Sequence, residues 1–209
     1  MSRGRNGGGF LSGREVLLSL LFLLVGAGLG YLGYLLRVVL AGRLPGMMRY
    51  LDLPGVFGRY TIWIFLGLSI AAFSSAPARA AWNTLAFALG AFLGIYGALY
   101  LAGRTLPVDV LRIWLLLTAV SPILAMIAWY GRGWDIPAVL VSALTLGVMG
   151  WSCMKVGMWY ISVSSPVELL LVIAAVVILG QREMRDFHLM IGGGFLILLL
   201  LKNVLPLFL

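Results

Sequence analysis

Residues 81–103 read AWNTLAFALGAFLGIYGALYLAG and contain no charged side chain. Within that stretch Ala86, Gly90, Gly94 and Ala98 recur at every fourth position. On an α-helix this spacing stacks four small side chains into one stripe. The other faces carry Leu, Phe, Ile and Tyr. A surface helix of a soluble domain sets an apolar face against a charged one. Here a large apolar face is set against a small apolar one, which suits lipid on one side and a closely approaching helix on the other. The segment predicts the central helix of a membrane bundle.

Composition extends this reading to the whole chain. Of 209 residues, 62% are hydrophobic and 11% charged, and mean hydropathy is +1.07. Soluble domains carry roughly 25% charged residues, so these few charges cannot cover a soluble surface of this size. The apolar residues also arrive in long blocks. At about 20 residues per crossing, the expected fold is all-α, a polytopic bundle of six to seven transmembrane helices. Residues 1–13 form a basic, Gly-rich tail expected to be disordered. Residues 14–209 form a single transmembrane domain, with spans near 16–40, 60–76, 77–103, 110–131, 136–155, 166–181 and 189–208. The first apolar run is too long for a signal-peptide core and is expected to remain uncleaved.

The net charge of +8 comes from arginines and lysines scattered at block ends. That distribution points to lipid headgroups and topology control rather than nucleic acid. The lipid bilayer is therefore the expected partner, with a membrane protein or a second copy as a further possibility. Arg3, Arg5 and Arg14 favour a cytoplasmic N-terminus. Arg43, Arg49 and Arg59 in the first loop would then lie outside, against the positive-inside rule.

Several features have ready structural meanings. Gly28-x-Gly30-x-x-Gly33 matches a dinucleotide fingerprint in letters only, since no strand precedes it; Gly26 and Gly30 form a GxxxG packing pair. Ala143 and Gly147 are another small pair. Residues 41–59 form the longest connection, broken at Pro45-Gly46 and Pro54-Gly55, and are the best candidate for a lid. Ser75 is expected to cap the helix starting at Pro77, and Asp135 the helix starting beside Pro137. Asp109 and Arg112 make a local pair. Ser165-Pro166-Val167-Glu168 reads as a capping box, in which Glu168 turns back to the Ser165 backbone. Gly192-Gly193-Gly194 is expected at the start of the last helix.

Four polar residues inside or beside apolar blocks are the candidate ligand or coupling groups. Asn83 lies two turns into its helix and needs a partner there. Ser121 precedes a mid-helix Pro122, where a lost backbone hydrogen bond can expose polar groups to a substrate. Lys155 sits among Trp151, Trp159 and Tyr160. Glu168 is the only acid in its block. No catalytic group and no metal or cofactor site is expected. His188 is the sole histidine, Cys153 the sole cysteine, and no nucleotide or hydrolase motif appears. The sequence therefore points away from an enzyme.

Trp63 in TIWIF, the run Ser74-Ser75-Ala76-Pro77-Ala78-Arg79-Ala80-Ala81-Trp82-Asn83, and Ser121-Pro122 followed by Trp129-Tyr130 together resemble a group of small multi-pass bacterial membrane proteins. The resemblance covers roughly residues 60–180 and implies a bacterial cytoplasmic membrane with no established activity. By architecture alone, size and span count are similar to the substrate-binding subunits of vitamin uptake systems. Two functions follow as expectations: a transport-related subunit that binds or passes a small molecule, or an assembly protein that docks a partner through its small-residue faces.

Overall fold

The computed structural model describes residues 13–40, 43, 45–104, 108–133, 135–156, 160–180 and 183–204. It is all-α apart from one small hairpin. In chain order the elements are α1 (Gly13–Tyr34), which continues into a π-helical turn at Leu35–Val39, α2 (Gly46–Tyr50), α3 (Leu53–Gly58), α4 (Tyr60–Phe73), α5 (Pro77–Leu101), α6 (Val108–Tyr130) and α7 (Ile136–Cys153). The hairpin strands β1 (Met154–Val156) and β2 (Ile161–Val163) follow, then α8 (Pro166–Leu179) and α9 (Met184–Val204). The strands pair antiparallel, with Lys155 opposite Ser162.

Five helices are long and apolar enough to cross a membrane: those at Glu15–Val39, Pro77–Leu101, Val110–Tyr130, Ile136–Cys153 and Met184–Val204. The stretches expected as spans at 60–76 and 166–181 are shorter. α4 and α8 have 14 residues each, about 21 Å at 1.5 Å per residue, against a hydrocarbon core of about 30 Å.

Glycine decides the tightest packing. A Cβ on Gly26 or Gly30 would lie within 3.0 Å of the backbone of Phe87 or Ala91, and one on Gly90 or Gly94 would meet the backbone of Leu23 or Ala27 in the same way. The GxxxG pair of α1 and the stripe of α5 thus interlock backbone to backbone. Ala98 is buried and Ala86 half-buried on the same helix. The two helices run parallel, because paired residues advance together: Glu15 with Arg79, Ser19 with Asn83, Gly30 with Ala91. α7 and α9 repeat the arrangement. Ala143 faces Gly193 and Gly194, Gly147 meets Ile197, and Gly150 meets Leu198. The triple glycine therefore lies in the middle of α9, where α7 approaches, rather than at its start.

Between these two parallel pairs lie the short helices, antiparallel to them. α4 packs on α5, α6, α7 and α8, so it joins the halves more than α5 does. The main core gathers Leu68, Val139, Leu146, Met149, Ala175, Leu179 and Met190 from α4, α7, α8 and α9. α7 is the innermost long helix, with 56% of its apolar window buried against 33% for α5, which corrects the expectation that residues 81–103 would be central.

Local expectations are corrected in two places. Ser75 does not cap α5; Ala76 holds the N-cap position and the Ser75 hydroxyl accepts from Arg79 at 2.9 Å. Asp135 holds the N-cap of α7 without a side-chain cap bond. Trp129 and Arg132 serve the end of α4: Trp129 Nε1 donates to Ser74 O at 2.9 Å and Arg132 donates to Ala72 O. Carbonyls at a helix C-terminus have no partner within the helix, and these side chains supply one. The Asp109 side chain expected to pair with Arg112 lies outside the described residues.

Candidate functional site: a charged seam under a cap

α4 and α8 both begin at one end of the bundle, and their N-termini meet there. Asp52 precedes α3 with φ 47°, ψ 44°. It is the only non-glycine residue with positive φ among the described residues. This left-handed conformation costs energy for any residue with a Cβ, though Asp tolerates it better than most. Its carboxylate folds over Gly55, where a Cβ would collide with it. Arg59 follows in extended backbone between α3 and α4. Its Nη2 donates to Asp52 Oδ2 at 2.7 Å and its Nε to Glu168 Oε1 at 2.7 Å.

The last bond crosses the molecule. Arg59 belongs to the first half of the chain and Glu168 to the first turn of α8, 109 residues later. Glu168 is fully buried, and its Oε2 has no hydrogen-bond partner. The expected capping box is therefore half right. Ser165 does cap α8, accepting from Val167 N at 3.2 Å, but Glu168 turns to Arg59 rather than back to Ser165. A guanidinium at contact outcompetes a neutral amide as partner for a carboxylate. Burial alone would lower the Arg59 pKa; hydrogen bonds and charge from Glu168 and Asp52 outweigh it and hold the guanidinium above its ordinary range.

Short elements close this end. The Ser165 hydroxyl donates to Leu51 O at 2.6 Å, tying α8 to the segment before Asp52. Ser164 N donates to Cys153 O at 2.9 Å, tying the hairpin to α7. Between this cap and the helices lies a cavity of about 760 Å³, lined by Asp52, Arg59, Tyr60, Trp151, Lys155 and Ser164 among others. The residues proposed from sequence as a lid, 41–59, thus contribute Asp52 and Arg59 to its wall.

Of the four candidate polar residues, Lys155 lies on the cavity wall, and Glu168 touches the site only through Arg59, which lines it. Asn83 is at the opposite end, where its Oδ1 accepts from Ser19 Oγ at 3.0 Å. There it lines a second, mostly apolar cavity of about 420 Å³ together with Arg79, Glu15, Phe73 and Trp82. Ser121 lines neither. Pro122 lacks an N–H, which frees the carbonyl of Thr118 four residues earlier. The Ser121 hydroxyl donates to that carbonyl at 2.8 Å, and α6 continues through the proline without interruption. Ser121 is thus accounted for by local repair.

Sequence reasoning missed Arg59 and Asp52 as site residues. A lone acid in an apolar block demands a cation, but the chain offers many arginines, and local spacing cannot select one so distant. Among the described residues no group of three His, Cys, Asp or Glu side chains could hold a metal ion. No protein-family model, curated protein or solved structure matches this chain. The functional reading therefore rests on the seam itself.

Proposed function

We propose that this chain is a multi-pass membrane protein of the bacterial cytoplasmic membrane, a transport-related subunit that binds or passes a small molecule at the seam between its halves. In this reading α4 and α8 complete a bundle of seven crossings with the N-terminus cytoplasmic. The observation that carries it is the Arg59–Glu168 pair, one charge from each half and the carboxylate fully buried, at the start of both 14-residue helices and beside a ligand-sized cavity. Short helices whose N-termini converge on a polar site are a recurring substrate-site device in transporters. The parallel pairs α1/α5 and α7/α9, locked by backbone contact, supply two stiff bodies; the seam between them is where they can move. Glu168 serves as the coupling carboxylate and Lys155 as a ligand-facing cation. The assembly reading loses its main surface, because Gly26, Gly30, Gly90 and Gly94 are covered by one another.

The test is uptake by proteoliposomes of a labelled panel of small anions, cations, zwitterions and neutral solutes. At least one solute should enter wild-type vesicles faster than Glu168→Gln vesicles of equal protein content. Rates equal to empty liposomes across the panel refute the proposal.

A further inference from the structure

We infer that the crevice at the opposite end of the bundle seats one membrane phospholipid, and that the seat favours an ethanolamine headgroup. This needs the chain to lie in a bilayer but not to transport anything. The crevice, about 420 Å³, lies between α1, α5 and the end of α4, and its wall is mostly apolar. Leu18, Phe73 and Trp82 line it and are themselves exposed. On helices this apolar, such a rim faces lipid, so an occupant enters from the bilayer. A whole phospholipid is larger than the crevice. Its upper part fits, with an acyl chain against Phe22 and Ile70 and the rest left among neighbouring lipids.

Two sets of accessible donors wait at the depths such a molecule requires. Arg79 stands in the first turn of α5, where a span meets the headgroups. Of its five N–H groups, one donates to Ser75 Oγ and one to Glu15, which leaves three unmet on a side chain 53% exposed. The phosphodiester is the anion that a bilayer brings to this level, and guanidinium forks match phosphoryl oxygens. One turn further in, about 6 Å along the axis, Asn83 Oδ1 accepts from Ser19, and Asn83 Nδ2 has no hydrogen-bond partner among the described residues. Asn83 lines the crevice, and that nitrogen is accessible from it. The ester carbonyls of a glycerolipid lie just beneath its phosphate and supply the missing acceptor. Charge then sets the headgroup. Glu15 lies against Arg79, so the mouth carries one anion beside one cation. Phosphoethanolamine offers the complementary pair, phosphate to Arg79 and ammonium to Glu15. A trimethylammonium has no N–H to donate, and a net-anionic lipid sets its charge against Glu15 without a cation in return.

Native mass spectrometry of the full chain, delipidated in detergent, tests this. The probes are dioleoyl phosphatidylethanolamine, phosphatidylcholine and phosphatidylglycerol, and water-soluble glycerophosphoethanolamine. A single copy of the ethanolamine lipid should bind, several-fold tighter than the other two lipids, and glycerophosphoethanolamine should not bind at the same concentration. Arg79→Gln should weaken the ethanolamine lipid about ten-fold or more, as expected for loss of hydrogen bonds between charged groups. Glu15→Gln removes the anion and should turn the preference toward phosphatidylglycerol. Asn83→Ala should weaken all three lipids several-fold. Arg79 is exposed, so its variant should fold and decide the matter even if Asn83→Ala, which also loses the bond to Ser19, does not. Equal affinity for the three lipids, affinity unchanged in Arg79→Gln, a preference unmoved by Glu15→Gln, or glycerophosphoethanolamine binding as tightly as the lipid overturns the assignment.

Discussion

Removing either partner of the seam pair should destabilise the protein, but unequally. Arg59→Met leaves Glu168 fully buried with no counter-charge, and its second oxygen already lacks a hydrogen bond. Stripping the partner from a buried ion typically costs 3–5 kcal/mol. The Arg59 side chain is 24% exposed, so some water will reach the vacated space, and about 3 kcal/mol is expected. Glu168→Met leaves Arg59 paired with Asp52 at 2.7 Å, so its cost should be nearer 1–2 kcal/mol. The double variant Arg59→Met, Glu168→Met should be no worse than Arg59→Met alone, since the stranded charge is gone. Equilibrium unfolding in mixed micelles with increasing SDS, read by tryptophan fluorescence, would yield all three values. A double-mutant cycle then isolates the coupling. Equal single costs, or a double cost equal to their sum, would refute a buried seam held by charge.

Other consequences are local. Leucine at Gly26 or Gly90 must drive α1 away from α5, with an expected loss of about 3 kcal/mol, whereas leucine at Gly28 or Gly97, where a Cβ meets nothing within 4 Å, should change stability by under about 0.5 kcal/mol; thermal melts in detergent distinguish the two sets. Ser121→Ala should cost about 1 kcal/mol by orphaning the Thr118 carbonyl, and in a Pro122→Ala background, where a backbone N–H returns, the same substitution should become nearly neutral. SDS unfolding of the four proteins measures that difference.

What the residues settled without a fold is the set of properties that act within a turn or two of helix. Long blocks without charge dictate helices solvated by lipid, because a helix satisfies its backbone polar groups within the segment itself. The fourfold spacing of Gly26 with Gly30, and of Gly90 with Gly94, marked faces made for close approach, because helical periodicity converts sequence spacing directly into geometry. Ser165 and Pro166 announced the start of α8 for the same reason. Which small face meets which was decided only in three dimensions: nothing local says that α1 takes α5 and α7 takes α9, each pair parallel. Tertiary structure likewise chose Arg59 from among many arginines for Glu168, overriding a capping bond that the local sequence favoured. Charge interactions with a buried carboxylate are strong at contact and indifferent to separation along the chain, so spacing carries no trace of them.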